Sequence, residues 1–187
     1  MANRPAIRHL TDPGAHKALG HPLRQRILRH LGIHGPATST TLAKALGENT
    51  GTLSYHLRQL EQHGFIEEIP ERSAGRERWW RQVGADLRWP SAHEVPEESQ
   101  QLLDEITQAK VEQELELARR FFTDHRRYGE WAKSSRGLTH LTKEELDEFF
   151  EAYMELLTRF RRTAEDAPPG ARPVFLRLFT MPAGEGP

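Results

Sequence analysis

The sequence predicts a mainly α-helical protein with a small amount of β structure. Three observations lead to this prediction: capped apolar stripes at helical spacing before residue 64, two β-rich runs around turn signals at 65–83, and a segment at 97–128 with little in it to break a helix. The 187 residues suggest one domain plus an appendage, or two small domains. We place the boundary between residues 89 and 90, with a linker over residues 84–96.

The first predicted elements are helices, read from TDPGAHKALGHPLRQRILRHLG as a helical hairpin or one broken helix. Asp12 can cap the first piece, and Pro22 opens the second. IHGPA is then a loop, and Thr38 or Ser39 caps a short helix that Gly47 ends. The apolar stripes of the last two helices are Leu23, Ile27, Leu28 and Leu31, then Leu42, Ala43 and Leu46.

The next helix, TGTLSYHLRQLEQHG, has two different faces. Asn49 caps it, and Gly64 closes it in a left-handed conformation. Leu53, Leu57 and Leu60 lie at helical spacing and form its buried face. The helix nevertheless opens with small and polar residues, which predicts that its other face serves a purpose outside the core.

A β-hairpin follows, from FIEEI to RERWWRQV. Trp79 and Trp80 are consecutive and therefore point to opposite faces of their strand. One is expected in the core and the other over a neighbouring element. The predicted hairpin tip is basic, with Arg72, Arg76 and Arg78.

The order helix, helix, sharp turn, helix, hairpin is that of a helix-turn-helix with a β-wing. Such a motif presents the N-terminal part of its second helix to the DNA major groove, where hydroxyl groups and a guanidinium can meet base edges or phosphates. A basic wing tip can follow the backbone or enter the minor groove. The predicted DNA-contact residues are Thr50, Gly51, Thr52, Ser54, Tyr55 and Arg58 on the helix, and Arg72, Arg76 and Arg78 on the wing.

Charge is distributed unevenly along the chain. Residues 1–89 hold 13 basic and 8 acidic residues, a formal charge of +5, and the remainder holds 13 basic and 19 acidic residues, a charge of −6. The two halves are therefore expected to have different partners, although chance segregation of solvated charge is the alternative.

Four stretches carry a resemblance to a known family: LGHPLRQRIL, LAKALG, LSYHLRQLEQHGFIEE and GRERWWRQV. Through them, residues 19–83 resemble the ArsR-like winged helix-turn-helix transcriptional regulators. The resemblance implies a dimeric DNA-binding regulator, commonly a repressor of a nearby promoter. From about Pro96, YGEWAKS and LTKEEL resemble the extension of many actinobacterial-type winged-helix regulators.

The metal sensors of that family imply cysteine pairs or aspartate and histidine clusters, and this chain departs from both patterns. It has no cysteine, and Asp124 and His125 are adjacent instead of at helical ligand spacing. No third ligand accompanies His30 and His34 at a recognisable spacing. No catalytic triad spacing, phosphate loop or hydrolase signature appears either. We therefore expect no metal, no cofactor and no enzymatic activity.

The second half is predicted to be a helical dimerisation region that could also hold a short sheet. One helix runs from about Glu97 to Tyr128, and another begins at the capping box Thr142–Glu145. So long a helix favours a dimer, because it is hard to stabilise alone. Its apolar residues do not form a regular heptad repeat, so a simple coiled coil is not expected. The alternative to a dimer is that the helix packs only on its own domain. The expected dimer contacts are Leu103, Ile106, Leu115, Ala118 and Phe122.

Two short segments and a set of aromatic residues complete this half. RGLTHL and RPVFLRLFTMP could be the strands of the small sheet. The aromatic residues could line the pocket of a small-molecule effector or simply form core: Phe149, Phe150, Tyr153, Phe160, Phe175 and Phe179.

The leading hypothesis is a homodimeric, sequence-specific transcriptional regulator that binds a near-palindromic operator in double-stranded DNA. By the family resemblance we expect a repressor. No apolar run has signal-peptide or membrane-spanning length, so we expect a cytoplasmic location and no membrane partner. The alternative hypothesis is a winged-helix protein-interaction adaptor, which the acidic second half would suit.

Overall fold

The computed structural model describes residues 7–10, 12–73, 77–84, 86–88 and 97–184; the side chains of Ile7, His9, Pro13, residues 86–88 and residues 97–110 are outside the description. Among the described residues, five α-helices and five short strands precede residue 129, in the order β1 (Ile7–His9), α1 (Pro13–Gly20), α2 (Pro22–His34), β2 (Ala37–Thr38), α3 (Ser39–Leu46), α4 (Thr50–Gln62), β3 (Ile66–Glu68), β4 (Trp79–Gln82), β5 (Asp86–Arg88) and α5 (Glu97–Tyr128). A sixth helix, α6 (Lys143–Phe160), follows. The predicted fold class, mostly helical with a little β structure, is confirmed.

The predicted caps set the helix boundaries. Asp12 accepts hydrogen bonds from the Gly14 and Ala15 amides at the start of α1. Thr38 does the same for the Thr41 amide in α3, and Gly47 adopts φ 69° at the end of that helix. The N-terminal amides of a helix lack partners within it, so each capping side chain satisfies a donor that would otherwise be unpaired.

Two boundaries differ from the sequence prediction. α2 continues through His34, so part of the predicted IHGPA loop is helical, and Gly35, at φ 81°, follows it. Ala37 and Thr38 then form the short strand β2 instead of loop. The two residues are buried and pair with β4, which supplies a hydrogen-bonding partner that the local sequence does not reveal.

The three-stranded sheet that contains the wing is antiparallel, in the order β2–β4–β3. β3 and β4 form the predicted hairpin, with Glu67 opposite Arg81 and Glu68 opposite Trp80. Trp80 is 3% exposed and belongs to the core, while Trp79 is half-buried. The prediction that the two indoles point to opposite faces is confirmed.

A second sheet joins the two ends of the first half. β1 pairs in parallel with β5, Ile7 opposite Asp86 and His9 opposite Arg88. Residues 84–96 were predicted to be a linker, and that is wrong for residues 86–88. The pairing joins strands about 80 residues apart, so it depends on tertiary structure and leaves no signal within the segment.

One hydrophobic core holds the first half together. Its members come from all four of the first helices and from the wing sheet, among them Ile27, Leu42, Leu53, Leu57 and Trp80. In contrast, no residue between 111 and 184 is buried. The predicted winged domain is therefore a packed unit, and the described apolar side chains of the second half are all at least partly exposed.

The second half has less β structure than predicted. Residues 132–142 and 171–183, which include RGLTHL and RPVFLRLFTMP, form no strand. The alternating side chains of the latter stay exposed, Leu176 at 55% and Phe179 at 71%. A strand needs a neighbouring strand for its backbone hydrogen bonds, and among the described residues neither segment has one.

The segment after α6 contacts several parts of the molecule. Arg177 Nε donates to Glu114 of α5 at 2.7 Å. The guanidinium of Arg29 in α2 lies 5.9 Å from the Phe175 ring centre. None of the helices that the structure describes is both long and apolar enough to cross a membrane.

Candidate nucleic-acid interface

The helix α4 is fixed on one side by the core. Leu53, Leu57 and Leu60 are completely buried, as predicted. Asn49 Oδ1 accepts a hydrogen bond from the Thr52 amide at 2.7 Å, so the start of the helix is defined. Gly64 follows its end at φ 62°. The orientation of the opposite face is therefore set by packing beneath it.

That opposite face carries the candidate contact residues. Thr50, Gly51, Tyr55 and Arg58 are exposed, while Thr52 and Ser54 are partly buried. Tyr55 is 55% exposed, unusual for an aromatic residue in a helix whose other face is core. Four of the six residues are thus available at the surface, and the other two lie at its edge.

Two of these side chains are positioned by the helix itself. Ser54 Oγ donates to the Thr50 carbonyl at 2.7 Å, which leaves the lone pairs of the hydroxyl for an external donor. Arg58 Nε donates to the Ser54 carbonyl at 3.1 Å. The terminal amino groups of Arg58 make no hydrogen bond to the described part of the chain, so they can donate to a phosphate or a guanine.

Gly51 leaves no side chain projecting from the surface near the start of the helix. A β-carbon built there would lie 3.3 Å from Asn49 Oδ1, the atom that caps the helix. A larger residue would crowd the cap and stand between the helix and an approaching ligand. The glycine therefore suits close approach.

A side chain of α2 is hydrogen-bonded to the turn before α4, a contact that the sequence did not predict. Arg26 donates to Glu48 Oε1 at 3.1 Å and to the Leu46 carbonyl. Glu48 stands at a position where such turns commonly have an apolar residue. The hydrogen bonds explain it, because a carboxylate there holds Arg26 across the end of α3.

Polar side chains also lie beneath α4. His56 is 6% exposed, and its ring centre is 4.3 Å from that of His21. His21 caps α2 by accepting a hydrogen bond from the Leu23 amide. Arg24 is also buried, with one terminal nitrogen donating to the Lys17 carbonyl at 2.6 Å. Its burial was missed because it lies beside the predicted apolar stripe.

Burial and the nearby Arg24 lower the pKa of both histidines. The pKa of His56 is lowered by burial first, then by His21 and Arg24, with Glu48 opposing. The pKa of His21 is lowered by burial and by Arg24. His56 Nδ1 has no hydrogen-bond partner among the described residues. A proton on either ring would thus meet nearby positive charge at the contact between α2 and α4.

The wing arginines make contacts within the chain. Arg72 lies 2.6 Å from Glu165, and its guanidinium is 5.9 Å from the Trp79 ring centre. Arg78 lies 3.6 Å from Glu68. Both pairs are partly solvent-exposed, so they are weak and can exchange for phosphate. Arg76 lies outside the described residues.

The residues predicted to form the dimer contact are exposed where they are described. Leu115 is 54% and Phe122 61% exposed, and Ala118 is exposed as well. The side chains of Leu103 and Ile106 lie outside the described part of α5. The aromatic set suggested as a pocket or core in the second half is not buried: Phe149, Phe160, Phe175 and Phe179 are between 48% and 71% exposed.

The described residues contain no cluster of three histidine, aspartate or glutamate side chains that could hold a metal ion. His30 and His34 do lie near each other, with ring centres 4.5 Å apart. Burial and the neighbouring His34 lower the pKa of His30.

A family model for a helix-turn-helix domain matches residues 19–69, from the end of α1 to just past β3. The chain carries a winged helix-turn-helix domain. The resemblance to ArsR-like winged-helix regulators is confirmed over these residues. In the helix-turn-helix, α3 is the first helix, α4 is the recognition helix, and the β3–β4 hairpin is the wing.

The chain also matches solved structures of transcriptional regulators. The homodimeric winged helix-turn-helix DNA-binding domain from Mycobacterium bovis, described as a possible ArsR-family regulator, is 23% identical over 54% of this chain and 76% of its own, with a TM-score of 0.35. A transcriptional regulator homologue from Pyrococcus horikoshii is 24% identical over 49% of this chain and 82% of its own, with a TM-score of 0.30. A regulator from Thermotoga maritima is 16% identical over 78% and 84%, with a TM-score of 0.33. No curated protein matches the chain.

Proposed function

We propose that this protein is a homodimeric, sequence-specific DNA-binding transcriptional regulator, and that it acts as a repressor. The observation that carries the proposal is the two-sided recognition helix. Its leucines are completely buried, and its outer face presents hydroxyl groups, Tyr55 and Arg58 to the surface.

This outer face suits DNA better than an apolar protein partner. Thr50, Ser54 and Arg58 offer hydrogen-bond donors and acceptors of the kind that contact base edges and phosphates. Apart from Tyr55, the face has no large apolar side chain to anchor a protein interface. A winged-helix adaptor, the competing function, would be expected to expose apolar residues there.

The wing supplies the second contact. Arg72 and Arg78 lie at the base of the hairpin, on the chain that enters and leaves its tip. A phosphate that replaced Glu165 or Glu68 as their partner would exchange one exposed ion pair for another. In this proposal the wing contributes affinity without sequence preference.

Two copies of the domain are needed for tight, specific binding, because one recognition helix reads few base pairs. The proposed dimer contact is α5, through Leu103, Ile106, Leu115, Ala118 and Phe122. Two recognition helices would then enter successive major grooves of a near-palindromic operator. The separation of the half-sites would be close to one helical turn or a multiple of it.

Selection of bound DNA from a random pool, followed by titration of the selected sequence, tests the proposal. We expect a near-palindromic site, with affinity at least about 1,000-fold higher than for scrambled DNA of the same composition at the same salt concentration. A pool without enrichment, combined with retention of a protein partner by the same α4 face, would favour the adaptor function. Reporter expression from the selected site distinguishes repression from activation.

A further inference from the structure

The helix α6 carries an apolar face that a single chain covers only in part. It is 18 residues long and has no buried residue. Its apolar side chains recur at helical spacing along one side, and Phe149, Leu156 and Phe160 are about half exposed or more. Most of the stability of a helix in a protein comes from packing such a face. A covering surface is therefore needed.

A second uncovered stripe lies on α5. Val111, Leu115, Ala118 and Phe122 follow one another at spacings of four, three and four, the spacing of a helix–helix seam. Val111, Leu115 and Phe122 are about half exposed or more. α5 packs on α1, but α1 has 8 residues and α5 has 32, so roughly 12 Å of helix cannot cover roughly 48 Å.

The segments that carry the two stripes have opposite net charge. Residues 119–128 contain four arginines and one aspartate, whereas α6 contains six acidic residues, one lysine and one arginine. Arg119 lies four residues after Leu115, and Arg126 four after Phe122, so both flank the α5 stripe. A parallel α5–α5 pair would bring these arginines together and repel, whereas the net negative charge of α6 attracts them.

The contacts within one chain favour a helix from a second copy as the surface that covers the α5 stripe. Arg177, after α6, already bonds Glu114 on another side of α5 at 2.7 Å. Arg172 lies 5.2 Å from the ring centre of Trp131, directly after α5. With the connecting segments held in this way, the two stripes both remain exposed in the single chain.

We propose that the apolar face of α6 packs on the α5 stripe, residues 111–122, of a second copy of this chain. The contact is reciprocal in a two-fold dimer, so each copy provides one α5 and one α6. The inference rests on the proposed homodimer and specifies which helices form it.

Disulfide mapping tests the contact, because the natural chain has no cysteine. Ala118→Cys and Tyr153→Cys lie in the middle of the two stripes, where a shift in register matters least. One of these two single-cysteine variants carries a longer tag. The two proteins are mixed, allowed to exchange subunits and then mildly oxidised. Glu155→Cys, on the opposite side of α6, replaces Tyr153→Cys in the matched control. If either variant loses helix content, Leu115→Cys with Leu156→Cys takes its place.

We expect a tagged–untagged cross-link that forms at least about ten-fold faster than in the Glu155→Cys control. Cross-linking only between two Ala118→Cys chains would show an α5–α5 contact instead and overturn the inference. A link within one chain carrying both substitutions, or no link in any mixture, would overturn it too. Sedimentation of the reduced protein, with titration of the selected DNA, shows separately whether the dimer and its DNA binding exist.

Discussion

Arg58 and Tyr55 stand on the part of the recognition helix that no core residue covers. Both are exposed, and the Nε–H of Arg58 is held by the Ser54 carbonyl, so its orientation is partly set before any ligand binds. Preset geometry reduces the entropy cost of forming a contact. At the residue scale, these two side chains are the strongest candidates for base or phosphate recognition.

Replacing either residue with alanine should weaken specific DNA binding without unfolding the domain. One good base contact contributes about 1–3 kcal/mol, so we expect binding to weaken by roughly 5- to 150-fold per substitution. Electrophoretic mobility shift at fixed salt measures it. Arg136→Ala is the matched control, because it removes an exposed arginine from the segment between α5 and α6. Unchanged affinity in both Tyr55→Ala and Arg58→Ala would place the DNA contact elsewhere.

The buried histidine pair should make stability depend on pH. Because the pKa of His56 is lowered in the folded protein, the unfolded chain binds more protons between its ordinary pKa of 6.5 and the lowered value. This contribution to stability is fully present above pH 6.5 and decreases as the pH falls through the lowered pKa. Urea unfolding at about pH 7.5 and about pH 5 should show the decrease.

His56→Gln should reduce the loss of stability at low pH, since the substitution removes one ring whose pKa is lowered by folding. His140→Gln provides the matched control, because His140 is exposed and lies outside the cluster. If His56→Gln and the natural protein lose the same free energy of unfolding between the two pH values, the pair does not account for the pH dependence.

At the element scale, the start of the recognition helix depends on one cap. Asn49→Ala removes the acceptor for the Thr52 amide and should lower the free energy of unfolding by about 0.5–2 kcal/mol. Asn49→Ser should retain most of the stability, because serine caps helices nearly as well. Chemical denaturation followed by circular dichroism measures both variants. Equal losses for alanine and serine would show that the cap hydrogen bond is not what matters there.

The wing should contribute affinity in a different way from the recognition helix. Arg72→Ala, and separately Arg76→Ala, should weaken binding to all DNA sequences about equally. The slope of log affinity against log salt concentration should fall by about one unit for each arginine–phosphate ion pair that the substitution removes. Titrations of the selected and scrambled DNA over several salt concentrations measure this. A changed base preference at one position, with the slope unaltered, would contradict a phosphate role.

At the scale of the whole molecule, the core and the proposed dimer contact lie in different halves. A chain that ends near Pro90 keeps every residue of the core cluster, and it keeps the β1–β5 pair. The shortened chain has neither α5 nor α6, which carry the exposed apolar stripes. The winged domain should therefore stay folded while the proposed dimer contact is removed.

We expect this shortened chain to be mainly monomeric at micromolar concentration and to bind the selected DNA poorly. Sedimentation equilibrium on both proteins gives the oligomeric state, and circular dichroism checks the fold. Phe122→Glu in the full chain is the second variant, because truncation also uncovers the side of α1 that α5 contacts. A monomeric full-length protein, or a truncated one that dimerises and binds at full strength, would assign α5 another role.

Local chemistry in the sequence was enough to predict much of the site. The caps Asp12, Thr38 and Asn49, the turn at Gly47 and the leucines of α4 act over a few residues, so their pattern can be read directly. The polar face of α4 follows from the same periodicity. These signals predicted the helix-turn-helix and its exposed side without knowledge of the other elements.

Only the tertiary structure decided which distant groups meet. The β1–β5 pair, the Arg26 clamp on Glu48 and the contact of His21 with His56 join residues separated by about 20 to 80 positions. Such pairs leave no local pattern, because their hydrogen bonds and ring contacts form only after the core has brought them together. The same reason explains the error at RPVFLRLFTMP: alternating side chains suit a strand, but a strand forms only where the fold provides a neighbouring backbone to bond.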